Sequence, residues 1–326
     1  MMKYSRRKFL HFAAGAAALP FAPRIACAQT FPSRPVRIIV AVPAGGPIDL
    51  AARLIGQWLS ERLGQPFVVE NRVGAGNNIG TEAAARAPAD GYTLLVTAAA
   101  AAINATLFDK LNYNFMRDFA PIASINHIPL LLSVHPSFSV ATVSELIAYA
   151  KANPGKVNMA TPGLATAPDL ASELLKMMAG IDIVVVRYRG SPAAMTDLIG
   201  GQVQTSFDAV PTSIEHARSG RLRALAVAMP ARLEVLPDIP TVAETVPGFA
   251  ASGWCGLCAP KATPTEIVDR LNREVNAALI DPRIKARLAD IGAISFATSP
   301  GEFAKFIAEE TEKWGKVIRF AGIKAE

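Results

Sequence analysis

The chain of 326 residues is short of the features that announce most chemistries. It has four histidines (His11, His127, His135 and His216), none paired with another at metal-ligand spacing, so a zinc site is not expected. No Walker pattern with its lysine and no correctly spaced G-x-G-x-x-G occurs; in Gly74-Ala75-Gly76-Asn77-Asn78-Ile79-Gly80 the third glycine comes one residue late for a dinucleotide fingerprint. That stretch is expected to turn the chain into a helix. Ser191 follows Gly190 but precedes Pro192, so there is no G-x-S-x-G elbow for a hydrolase nucleophile and no catalytic residue is assigned. No run of about 20 apolar residues offers a membrane span. Excess charge is absent too. Lys3, Arg6, Arg7, Lys8 and Arg24 lie in the first 28 residues with no acid, which leaves 28 basic against 27 acidic residues beyond them. A neutral balance of this kind gives no reason to expect nucleic acid as a partner.

Those first residues have the layout of an export signal. Ser5-Arg6-Arg7-Lys8-Phe9-Leu10 precedes a mild Ala/Gly/Phe stretch and then Ala26-Cys27-Ala28. The pattern is of the twin-arginine type, with cleavage expected after Ala28 in preference to lipid attachment at Cys27, where Arg24 fits poorly. The product would be periplasmic.

Beyond the leader, β-branched runs alternate with helical patterns, as in a parallel sheet covered by helices. Arg37-Ile38-Ile39-Val40-Ala41-Val42 leads through Pro43-Ala44-Gly45-Gly46-Pro47-Ile48-Asp49 into a helical pattern. A glycine turn opening a helix exposes N–H donors and the positive dipole end, which suits a phosphate or a carboxylate; without a Walker lysine the carboxylate fits at least as well. The bland alternative is a tight turn with Asp49 as a cap. A second round of the alternation starts at Val157-Asn158-Met159-Ala160, and Thr265–Ile280, Pro282–Leu288 and Pro300–Phe320 are expected as closing helices.

Many segments together resemble the extracytoplasmic solute receptors of tripartite tricarboxylate transporters, the TctC-like or Bug family. They include Phe31-Pro32-Ser33-Arg34-Pro35-Val36-Arg37, Ala44-Gly45-Gly46 with Asp49, Val69-Glu70-Asn71-Arg72 and Ala89-Asp90-Gly91-Tyr92-Thr93-Leu94. Tyr188-Arg189-Gly190, Gly200-Gly201-Gln202-Val203, Leu236-Pro237-Asp238-Ile239-Pro240-Thr241 and Lys313-Trp314-Gly315-Lys316-Val317-Ile318 extend the likeness nearly end to end. The resemblance implies an α/β, type II periplasmic-binding-protein fold whose two α/β lobes close over a small organic carboxylate. It implies a monomer without cofactor or metal that hands its ligand to membrane permease subunits. By the same likeness lobe one holds 29–130 with 252–326, and lobe two holds 131–251. The contacts it implies are Ala44, Gly45, Gly46, Ile48, Asp49, Thr97, Ala98, Ala99 and Ala100 from lobe one, and Thr161, Ala165, Thr166, Ala167 and Asp208 from lobe two.

The sequence departs from that family's habit by losing hydroxyl groups. Ile48 stands where Ser or Thr is common, Ala98 to Ala101 where Ser, Thr or His is common, and Ala165-Thr166-Ala167-Pro168-Asp169 where Gly-Thr-Ser-Ser-His is usual. Unpaired buried polar groups cost about 1–3 kcal/mol, so the expected ligand is a flatter, more apolar acid, aromatic or medium-chain. Two other readings compete. Cys255-Gly256-Leu257-Cys258 has the spacing of an exported thiol-disulfide oxidoreductase, although on an extended segment its sulfurs would lie on opposite faces, about 10 Å apart along the strand. A solute sensor that transports nothing would have the same fold.

Overall fold

A computed structural model describes residues 31–325; the leader expected over residues 1–28, with its cleavage site, lies outside them. The first strand, β1 (Val36–Val40), shows why the chain folds in layers. Ile38 and Val40 point to one face and Ile39 to the other, and all three are fully buried, which is the signature of a parallel strand covered on both sides. On one face α1 (Pro47–Leu63) brings Ile55 and Leu59, and α9 (Thr265–Ile280) brings Leu271 and Val275. On the other face β1 meets the helix Asn78–Ala85, and farther along the sheet the strand Phe119–Val134 is covered by α11 (Pro300–Ala321), whose Phe303, Ile307 and Trp314 share one core with Ile39.

Five strands form the body of the first sheet in the order β2-β1-β3-β9-β4: β2 (Phe67–Asn71), β1, β3 (Thr93–Ala98), β9 (Ser252–Pro260) and β4 (Phe119–Val134). The second sheet repeats the plan as β6-β5-β7-β4-β8, with β5 (Asn158–Thr161), β6 (Val184–Arg187), β7 (Thr205–Ala209) and β8 (Arg223–Val227). Strand β4 belongs to both. Its residues Phe119–Pro129 pair with β9, and Leu130–Val134 pair with β7 and β8. The sequence shows only Leu130–Val134 as a strand-like run. Pro121, Pro129 and the polar Ser124, Asn126 and His127 hide the rest, and the register shifts beside Pro121 and between Ser124 and Asn126, where bulges accommodate these residues.

The return crossing lies alongside. Ala251 N–H donates to Ala228 O, Ala228 N–H donates to Leu130 O, and Ser252 pairs with Pro129. Around these crossings His127 bonds Ser252 Oγ at 2.9 Å and stacks on Phe296, with ring centroids 4.1 Å apart. Lys313 of α11 donates to Ala250 O at 3.1 Å and to Glu310, which also accepts the indole N–H groups of Trp254 (3.0 Å) and Trp314 (2.8 Å). Burial, together with the Lys313 charge, pushes the His127 imidazole down to about 4.

Strand directions decide where a site can be. β3 is antiparallel to β9 and β9 to β4, so β1, β2 and β3 run the same way as β4, toward the second sheet. β7 is antiparallel to β4 and parallel to β5, which is parallel to β6, so these three run back toward the first sheet. The C-terminal ends of both parallel sets therefore face each other across the crossings, the position in which open α/β sheets carry their ligands.

Candidate functional site

Four loops leave those facing strand ends. The one after β1 is shaped by Gly45, whose φ of +87° is open to glycine at no steric cost. Gly46 is the N-cap of α1 without a side-chain bond, Pro47 follows at the start of the helix, and Asp49 in the first turn folds back on the loop. Its Oδ2 accepts the Gly45 N–H and Arg53 Nε–H, each at 2.9 Å, and its Oδ1 accepts from Asn71 Nδ2 at 2.8 Å. Burial alone would push the carboxyl up. The Arg53, Gly45 and Asn71 donors outweigh it and hold Asp49 below the usual carboxylate range. Asp49 is neither the N-cap nor a free charge; it is a clasp that fixes the loop. The Gly45 N–H, expected to greet an anion, is spent on it, while the N–H groups of Gly46 and Ile48 have no backbone partner among the described residues.

The loop after β5 repeats this arrangement. Ala165 takes a φ of +54° and donates its N–H to Asp169 Oδ2 at 2.9 Å. Asp169 Oδ1 accepts from Arg187 Nε at 2.8 Å and from Thr161 Oγ1 at 3.2 Å. Arg187 ends β6 as Asn71 ends β2, and Asp169 lies in the first turn of α6 (Ala167–Ala179) as Asp49 lies in that of α1. Here burial dominates, and the Asp169 carboxyl is raised despite Arg187, Ala165 and Thr161. Sequence reasoning missed Asp169 and Arg187. The signal was present as an aspartate four residues after the loop's turning residue, once in each half of the chain.

The loop after β3 opens directly into α3 (Ala99–Leu107) with Ala98 as N-cap and no side-chain bond to it, so the first N–H groups of α3 have no cap. A small cavity of about 10 Å³, the space one water molecule needs, brings together Ile48, Thr97, Ala98 and Ala100 with Asn77, Thr81 and Asn104. The last three were not anticipated. Thr81 Oγ1 donates to Asn77 O, and Asn104 Nδ2 donates to Gly76 O and to Asn78 Oδ1. Asn77 and Thr81 lie one turn apart at the start of one helix and Asn104 comes from α3, so the pocket is more polar than its alanines suggest. Ala99 is buried and does not line it.

In the second half Thr161 is fully buried, its hydroxyl given to Asp169, while Thr166 caps α6 and Ala165 and Ala167 flank it, half-buried. Asp208 ends β7 and is 1% exposed. Its Oδ1 accepts from Ser191 Oγ (2.9 Å) and the Ala209 N–H (2.7 Å), its Oδ2 has no partner, and burial raises the carboxyl above its ordinary range.

The C-x-x-C segment lies inside β9. Cys255 and Cys258 are both free and fully buried, Cys255 in the core under α1 and Cys258 in the core under α11, on opposite faces of the sheet. Burial pushes the Cys255 thiol up to about 12 and that of Cys258 higher still, the reverse of a redox cysteine. Among the described residues no group of three or more His, Cys, Asp or Glu side chains could hold a metal ion.

A family model for the tripartite tricarboxylate transporter family receptor matches residues 51–323. The chain belongs to that receptor family. The receptor is 39% identical over 300 residues to protein BugT of Bordetella pertussis, covering 91% of this chain and 92% of that one. Among solved structures it resembles an R. palustris protein with adipate at 37% identity and a TM-score of 0.74, covering 90% of this chain and 99% of the other. It resembles MatC from Rhodopseudomonas palustris with bound malate at 33% identity and a TM-score of 0.71, covering 88% and 100%. The two-sheet architecture is thus that of the periplasmic-binding fold, and the protein is a solute receptor of this family. No helix among the described residues is long and apolar enough to cross a membrane.

Proposed function

We propose that the receptor is exported by the twin-arginine route, captures a small organic carboxylate between its lobes in the periplasm, and presents the closed form to membrane permease subunits as a monomer. The facing of the loops after β1, β3, β5 and β7 supports this reading above all else. Lobe one would comprise 29–130 with 252–326 and lobe two 131–251. Each lobe offers part of the contact: Gly46 and Ile48 N–H groups, Thr97 and the uncapped start of α3 from one side, the Thr166 loop and the Asp208 region from the other. Ligand then shifts an open–closed equilibrium because only the closed form has both sets of donors around it.

The ligand is a medium-chain or aromatic acid. Ile48, Ala98, Ala100 and Ala165 bring no hydroxyl to a polyhydroxylated guest, and relatives with adipate and with malate support a carboxylate. Thermal shift of the mature protein, refolded to strip carried ligand, tests this against adipate, malate, benzoate, hexanoate and citrate. An acid at a hundred times its Kd adds about 2.7 kcal/mol of stability. Stabilisation by adipate, hexanoate or benzoate is expected; citrate binding most tightly would overturn the ligand class, and no shift with any acid would overturn the carboxylate reading.

A further inference from the structure

Asn77 is an anomaly on the rim of the lobe-one cavity. Its φ of +77° is a left-handed conformation that asparagine tolerates better than other side chains but glycine adopts without cost. It is the N-cap of α2 (Asn78–Ala85), a position where an asparagine ordinarily accepts a backbone N–H, yet its side chain makes no such bond. Among the described residues its half-buried carboxamide has no protein hydrogen-bond partner and stays open to solvent or a solute, and the residue lines the same cavity as Ile48, Thr97, Ala98 and Ala100. Neither the turn nor the helix uses this side chain.

We infer that the Asn77 carboxamide is a ligand contact that sets specificity: its Nδ2 donates to one oxygen of the bound carboxylate at the mouth of this cavity, beside the Thr97 hydroxyl and the start of α3. The inference rests on the carboxylate-receptor reading. The cavity is the size of a single oxygen-bearing group, the Asn104 amide protons are already committed to Gly76 and Asn78, and the Thr81 hydroxyl proton to Asn77 O. Asn77 is therefore the side-chain amide in this cavity with protons to give. It restores a donor beside a loop that has Ile48 in place of a hydroxyl.

Asn77→Gly separates this role from a structural one, because glycine suits the backbone at least as well and the fold is kept. Affinities of wild type, Asn77→Gly and Asn77→Asp are measured by calorimetry at pH 7 for adipate, malate, benzoate, hexanoate and citrate. The expected result is a loss of about tenfold in affinity for Asn77→Gly, as for a hydrogen bond to a charged acceptor, with the melting temperature unchanged or higher. Asn77→Asp, which sets a carboxylate against the ligand's own, is expected to lose more. Wild type binding an acid that Asn77→Gly binds within twofold would overturn the assignment and leave the receptor reading standing. Binding of none of the acids by wild type would overturn both.

Discussion

Asp49→Asn tests the clasp on the first loop most directly. The carboxylate accepts three hydrogen bonds while 1% exposed. An amide can accept on one side only. With its oxygen toward Gly45 and Arg53, its NH2 meets Asn71 Nδ2, which cannot simply flip because it also donates to Val42 O while its own Oδ1 accepts from Arg53 Nη2. With the amide reversed, the Gly45 and Arg53 bonds are lost instead. One bond to a charged acceptor is worth about 1.5–3 kcal/mol, and the Arg53 share is discounted because that side chain is half exposed. The variant should lose about 2 kcal/mol at pH 7, roughly 4 °C in melting temperature for a chain of this size. The pH dependence has a definite sign. Asp49 is held below its ordinary value of 3.8, so its stabilisation is present above that pH and fades as the pH falls through the lower value of the folded state. The gap between wild type and variant should therefore close in acid. Scanning fluorimetry at pH 7 and pH 3 measures both. Equal melting temperatures at pH 7, or a gap that widens in acid, would refute the clasp.

Other perturbations give separate checks. Ala165→Gly relieves a left-handed alanine and should stabilise by about 0.5–1 kcal/mol after the entropy of an added glycine is deducted, measured by urea unfolding. In Gly80→Ala the new Cβ would lie 2.6 Å from Arg72 O and 2.9 Å from Ala41 Cβ, so a loss of about 3 kcal/mol is expected; a neutral variant would contradict the packing of α2 on β1. His127, with its imidazole near 4 when folded against 6.5 when exposed, binds a proton more readily in the unfolded chain, so stability should fall by about 3 kcal/mol as the pH drops from 6.5 to 4. His127→Gln should flatten that slope. Native protein expressed from residue 29, which removes Cys27, should leave Ellman's reagent unreacted until it unfolds, because both thiols in β9 are buried; rapid labelling of the native state would reopen the oxidoreductase reading.

The sequence revealed elements whose burial is periodic and hid those whose geometry depends on distant partners. The closing helices stand at Thr265–Ile280, Pro282–Asp290 and Pro300–Ala321, within a residue or two of their apolar spacing and prolines. The first eleven residues of β4 were illegible because a strand that bends between two sheets carries prolines and polar residues at its bulges. Within the site, Ile48, Thr97, Ala98 and Ala100 do line one cavity. Asp49 was read as a ligand contact, with a helix cap as the alternative, because local sequence cannot show a carboxylate bonded back to the loop that precedes it. Asn77 and Asn104 were invisible because they arrive from segments 27 positions apart, joined only by the packing of α2 and α3.

The paired clasps at Asp49 and Asp169 make each jaw of this receptor a finished part. A loop already tied to its own helix and neighbouring strand need not be ordered when solute arrives, so the entropy of loop fixation is spent during folding and not during capture. The two jaws also share no clasp residue. Substitutions that reshape one half-pocket can accumulate without loosening the other, which is a physical route by which a single architecture comes to hold a short hydroxy acid in one relative and a six-carbon diacid in another.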